Sequence, residues 1–262
     1  MCLLVAAYES HPDYRLVLVG HRDEFHARPA APLDWWTDAP GILAGRDLEA
    51  GGTWLGVSRS GRLCVVTNYR DPAAMVRGAP SRGLLIPQFL VASTPAGEFA
   101  ATLLGHASAY SGFSLLAFDG ANLAYCVNRP GVSATTLPPG VYGLSNAHLD
   151  SPWPKLERAR ERVRALLAGG RVRTETLFAA LMDRQPAPDD RLPDTGIGRE
   201  RERALSAPFI VGPEYGTRCT TLVLMGRDGG TRVEERRYSI AGETTGRTTM
   251  AFHTTRAPAT GG

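Results

Sequence analysis

Lysine is almost missing from this chain. Lys155 is the only one, and arginine supplies the rest of 29 basic residues against 26 acidic ones, a formal net charge of +3. That balance, with no concentrated basic stripe, excludes the electrostatic footprint of a nucleic-acid-binding protein. Cysteine is equally sparse: four residues, Cys2, Cys64, Cys126 and Cys219, form no CxxC and stand near no histidine at zinc-site spacing, so neither a disulfide framework nor a structural metal site is expected. No Gly-rich phosphate loop follows a strand, which removes the usual nucleotide-fold signal. No apolar run approaches the ~18 residues that would span a bilayer, and Leu3 to Ala7 is too short for a secretory core and is followed at once by Tyr8-Glu9. The expected compartment is therefore the cytoplasm.

What remains is a 262-residue chain with 43% hydrophobic content, enough to bury one sizeable core. It reads as one domain over residues 1–262, with the Pro-, Asp- and Arg-rich stretch 185–214 as a surface excursion. Apolar, β-branched runs at Cys2 to Tyr8 and Tyr14 to Gly20 predict two strands covered on both faces. Further strand pairs are predicted at Thr53 to Ser58 and Arg62 to Asn68 around Ser60-Gly61, and at Phe113 to Asp119 and Asn122 to Asn128 around Gly120-Ala121. A fourth pair, Cys219 to Met225 and Arg232 to Ser239, flanks Asp228-Gly229, and Thr248 to Thr254 makes a last strand. Helices are predicted from Thr94-Pro95 to about His106, from Ser151-Pro152 to Gly169-Gly170, and after Thr174, each with apolar residues at helical spacing. Strand pairs, then helices, then strand pairs imply an α+β fold, antiparallel sheets sandwiched by helices.

Cys2 is the first candidate for chemistry. Processing normally removes an initiator methionine that precedes so small a residue, which would give one residue both a thiol and a free amine. A thiol with pKa about 8.5 and an amine at about 8 are matched so that the amine can take the thiol proton and return it to a leaving group. The plain alternative is a buried cysteine in a first strand. A turn centred on His11 would set Cys2 opposite Gly20 and make Arg22 its diagonal neighbour on the same face, where a guanidinium favours thiolate. Glu24 shares that parity; His21 and Asp23 point the other way. Asn68 and Asn146 stand at strand or turn ends, as oxyanion donors or as turn-forming side chains. Arg218, in Gly216-Thr217-Arg218, is a carboxylate clamp or an ordinary surface arginine. Trp35-Trp36 and Trp54 are pocket walls or packing residues.

Met1-Cys2, His21-Arg22-Asp23-Glu24-Phe25, Gly51-Gly52-Thr53-Trp54-Leu55-Gly56, Thr67-Asn68-Tyr69, Tyr142-Gly143-Leu144-Ser145-Asn146 and Tyr215-Gly216-Thr217-Arg218 resemble, in order, the motifs of the NRDE family, that of the transport and Golgi organisation protein 2. The resemblance implies a four-layer αββα sandwich of N-terminal nucleophile hydrolase type. More distantly the chain is similar to the bile-salt hydrolase and penicillin V acylase group, which implies a hydrolase of non-peptide C–N bonds or an acyltransferase. In that reading Cys2, Arg22, Asn68, Asn146 and Arg218 would be catalytic, and Glu24, Trp54 and Tyr69 would contact a small amide or acyl substrate. Two positions depart from the patterns. His21 stands where the family usually has asparagine, and Phe25 where the acylases place an aspartate, so Asp23 would have to serve instead. Hydrolysis would need no cofactor. The family's link to haem trafficking and to lipid or acyl-CoA metabolism implies an alternative, a non-catalytic carrier of haem or an acylated lipid in the same pocket.

Overall fold

The computed structural model describes residues 2–255, apart from the side chains of Cys2 and Ala74. Two antiparallel sheets lie face to face. The first has six strands in the order β10-β1-β2-β11-β12-β13: Gly140–Leu144, Cys2–Tyr8, Tyr14–Phe25, Tyr215–Gly226, Gly230–Tyr238 and Thr244–His253. The second has seven in sequence order, β3 to β9: Ala30–Trp35, Ile42–Asp47, Leu55–Ser58, Leu63–Asn68, Phe113–Phe118, Leu123–Val127 and Ser133–Leu137.

Strand parity builds the layers. Leu4, Ala6, Leu16 and Leu18 of the first sheet meet Leu63, Val65, Leu116 and Phe118 of the second in a core between the sheets. Leu3, Val5, Val17 and Val19 face outward against α3 (Pro154–Ala168) and α4 (Thr174–Ala180). Cys64, Leu115 and Ala117 likewise face α1 (Leu85–Val91) and α2 (Ala96–Leu104). Burial on both faces is why these strands read as unbroken apolar runs. The result is the αββα sandwich, with no described helix long and apolar enough to cross a membrane.

Several boundaries differ from expectation. The helix expected from Ser151-Pro152 begins at Pro154, whose fixed φ suits the first helical position and holds Trp153 extended. Thr94 does not cap α2; the carboxylate of Asp119 accepts from the Ala96 N–H at 2.8 Å instead. Segment 185–214 contains α5 (Arg199–Ala204) and sends Glu202, Phe209 and Ile210 into the interior.

The first hairpin is centred on Pro12 rather than His11: Tyr8 pairs with Leu16 and Cys2 directly with Arg22, not with Gly20. The longer loop is closed by the Glu9 N–H to the Arg15 carbonyl at 2.7 Å and pinned by His11, whose Nε2 lies 2.9 Å from the Gly170 carbonyl. A shift of two residues leaves strand parity unchanged, so Arg22 keeps the face that parity assigns it.

Candidate active site

The register extends beyond the first hairpin. Arg22 pairs with Cys2 on one side and Cys219 on the other, and Cys219 pairs with Arg237. Backbone register thus aligns Cys2, Arg22, Cys219 and Arg237 across four neighbouring strands, and the side chains of Arg22, Cys219 and Arg237 line one common cavity. Between Thr217↔Asp23 and Cys219↔Arg22 the pairing skips Arg218, a β-bulge. The bulge re-aims Arg218, whose Nη1 donates to the carbonyls of Phe25 at 2.8 Å and His26 at 3.1 Å, fixing the turn that leaves β2. Burial, then the like charge of Arg22, holds the Arg218 pKa below its ordinary value.

Asp23 lies on the opposite face from Arg22. Its Oδ1 accepts from the Thr217 hydroxyl at 2.7 Å, and its backbone carbonyl from the Tyr215 hydroxyl at 2.8 Å. His21, on the same side, is bound through Nδ1 to Thr220 at 2.8 Å and through Nε2 to the Leu181 carbonyl at 2.9 Å.

Arg22 is 4% exposed and lies with its guanidinium carbon 4.5 Å from the centre of the Trp54 ring. Its Nη2 is 3.5 Å from Asp47 and makes no hydrogen bond among the described residues. Burial alone would raise the Asp47 pKa, but hydrogen bonds from Arg28 and the amides of Ala50 and Glu49 outweigh it and hold the carboxyl below its usual range. Trp54 lies across Gly45, where a Cβ would be 2.4 Å from the indole. Gly52 packs equally close to Gly83: a Cβ on Gly52 would sit 2.5 Å from the Gly83 carbonyl carbon, beside the 3.1 Å bond from the Thr53 N–H to the Gly83 carbonyl. The Gly-Gly-Thr-Trp motif is thus a backbone contact that seats the indole over Arg22. Gly52→Ala should force that contact apart and cost about 1–3 kcal/mol, read as a lower urea midpoint; an unchanged midpoint would show that the contact is soft.

A cleft of about 610 Å³ opens here, lined by Arg22, Asp23, Glu24, Trp54 and Asn68, with Arg28 and Arg82 at its walls. Asn68 ends β6. Its carbonyl accepts from Asn146 Nδ2 at 3.0 Å, while the Asn146 carbonyl accepts from the Arg70 N–H at 2.7 Å. Asn146 is fully buried behind Asn68 and does not line the cleft. Tyr69 also lies outside the lining, edge-on to His148 at 5.3 Å. Trp35 meets Phe252 edge-on at 5.1 Å, and buried Trp36 donates to the Ala44 carbonyl at 3.2 Å, so both are packing residues. A larger hollow, about 790 Å³, lies at the far end of the first sheet and contains none of the sequence-predicted residues. Arg28, Asp47, Arg82 and the Arg70–Glu202 pair went unnoticed in the sequence, since nothing local distinguishes them from solvated charges.

The motifs bracketing this cleft match the model of the family Transport and Golgi organisation 2 over residues 1–239. The chain belongs to that family. It is 35% identical over 256 residues to the Transport and Golgi organization protein 2 homolog of Bos taurus, covering 90% of this chain and 92% of that protein, and 33% identical to the Homo sapiens homolog with the same coverage. Among solved structures this member of the Transport and Golgi organisation 2 family is similar to a mutant of the conjugated bile acid hydrolase of Clostridium perfringens, with TM-score 0.53 at 10% identity over 95% of this chain and 92% of the other. The fold is therefore of N-terminal nucleophile hydrolase type. Met1 and the Cys2 side chain lie outside the described residues.

Proposed function

We propose that the chain is a cysteine N-terminal nucleophile hydrolase or acyltransferase, acting on a C–N amide or related acyl bond in the cleft beside Arg22. The observation that carries this reading is the direct backbone pairing of Cys2 with a buried arginine whose Nη2 makes no hydrogen bond among the described residues. After loss of Met1, the Cys2 amine takes the thiol proton and the sulfur attacks the acyl carbon. The C–S bond forms, the C–N bond breaks, and the leaving amine departs with that proton; water or an acceptor nucleophile then releases the acyl group from the thioester. Arg22 favours the thiolate and, with Asn68 across the cleft, binds the developing oxyanion. Asn146 positions Asn68 through its carbonyl, Arg218 fixes the rim, and Asp23 orients the strand end through Thr217 and Tyr215.

Two measurements test the reading before any substrate is known. Intact mass should show Met1 removed; a retained methionine blocks the amine and removes the mechanism. Alkylation under native conditions should label Cys2 first, because burial raises the Cys64 thiol well above its usual value and pushes Cys126 to about 12, while Cys219 is 4% exposed. Equal labelling of all four cysteines, or none at Cys2, would count against an activated nucleophile.

A further inference from the structure

Beyond the cleft, on the other side of the Arg22–Trp54 pair, lies a separate cavity of about 160 Å³ walled by Arg22, Arg218, Arg237, Cys219, Glu235 and Pro32, among others. The bulge at Arg218 and the register Arg22↔Cys219↔Arg237 place three guanidinium groups around this one small space. Their compensation is incomplete. Asp47 touches Arg22 at 3.5 Å but is engaged more closely by Arg28 at 2.7 Å. Glu235 accepts from the Leu33 N–H at 3.0 Å and sits 3.3 Å from Arg237. Arg218 spends one Nη on backbone carbonyls. Arg22, more than nine-tenths buried, keeps Nη2 without an acceptor among the described residues.

The geometry points to an oxyanion-binding subsite in this cavity, taking a carboxylate or phosphate group between Arg22, Arg218 and Arg237. A carboxylate or phosphate offers two or more acceptor oxygens to guanidinium forks, of which that of Arg22 is buried and those of Arg218 and Arg237 are part-exposed, and charge-assisted bonds of this kind are the strong ones. It would also relieve the mutual repulsion of Arg22 and Arg218. Burial, opposed by the Leu33 amide and Arg237, raises the Glu235 pKa, which weakens the negative charge in the wall. Cys219 stands two strand spacings from Cys2, about 10 Å. A substrate that spans both sites therefore carries its anionic group at about that distance from the bond that is cleaved. That last step rests on the hydrolase reading; binding of an oxyanion in the cavity does not.

The test is calorimetric titration of the full chain with succinate and, separately, with inorganic phosphate at low ionic strength. One-site binding of either probe is expected, and the probe that binds identifies the group. Arg237→Gln should weaken it about tenfold, the loss of one charge-assisted pair. Glu235→Gln, which keeps the acceptor for the Leu33 amide but removes the negative charge, should tighten it several-fold. Opposite effects of two neighbouring variants cannot come from misfolding. Absence of binding by both probes, or binding that neither variant changes, would overturn the subsite. Because no turnover is measured, failure here and failure of the hydrolase reading are separable.

Discussion

Glu202→Ala should cost about 3–5 kcal/mol of stability, because it strands a buried cation. Glu202 is 2% exposed, pairs with Arg70 and accepts from the Thr195 N–H at 2.9 Å. Arg70 is itself buried, which lowers its pKa, and lies 4.7 Å from the Trp153 ring. Its backbone N–H holds Asn146, which holds Asn68, so one ion pair ties segment 185–214 to the site's strand end. Urea unfolding should show a lower midpoint, and a second change, Arg70→Met, should restore much of the loss by removing the stranded charge. If Glu202→Ala falls within about 1 kcal/mol of the parent, as an exposed pair would, the latch carries no weight.

That pair illustrates what was and was not legible in the sequence. Turns with a mechanism were legible: Gly61, Gly120 and Gly229 have φ of 82°, 95° and 88° and sit in three of the four expected hairpins. Strands that carry the inter-sheet core were legible for the same reason that they are stable. Strands β3, β4, β9 and β10 were missed; Ala30–Trp35 contains Pro32 and a register shift, and Ser133–Leu137 is mostly exposed, so neither shows apolar alternation. Helix α1 was missed because Leu85–Val91 has a single polar residue, Gln88, too little to show a helical period. At the site, parity gave Arg22 the face on which it meets Trp54, even though the hairpin centre lies one residue further on, at Pro12. The bulge that turns Arg218 inward, and the 132-residue separation between Arg70 and Glu202, are tertiary facts with no local signature. The motif residues Gly51-Gly52-Thr53-Trp54 were visible as a pattern, but their purpose, a close contact with Gly83 that seats Trp54 on Arg22, was not.

The central claim is that Cys2 is a nucleophile rather than the wall of a carrier's pocket. Cys2→Ala removes the sulfur and little volume, so in an enzyme it separates turnover from binding. The decisive measurement is a screen of acyl amides and acyl thioesters, including members with a distal carboxylate or phosphate, with wild type and Cys2→Ala compared on any compound cleaved, alongside haem titration of both. The account predicts saturable amide cleavage that falls about 1,000-fold or more in Cys2→Ala while the substrate still binds. A one-to-one Soret shift that the substitution leaves unchanged, with no acyl compound hydrolysed, would contradict it and make the protein a carrier.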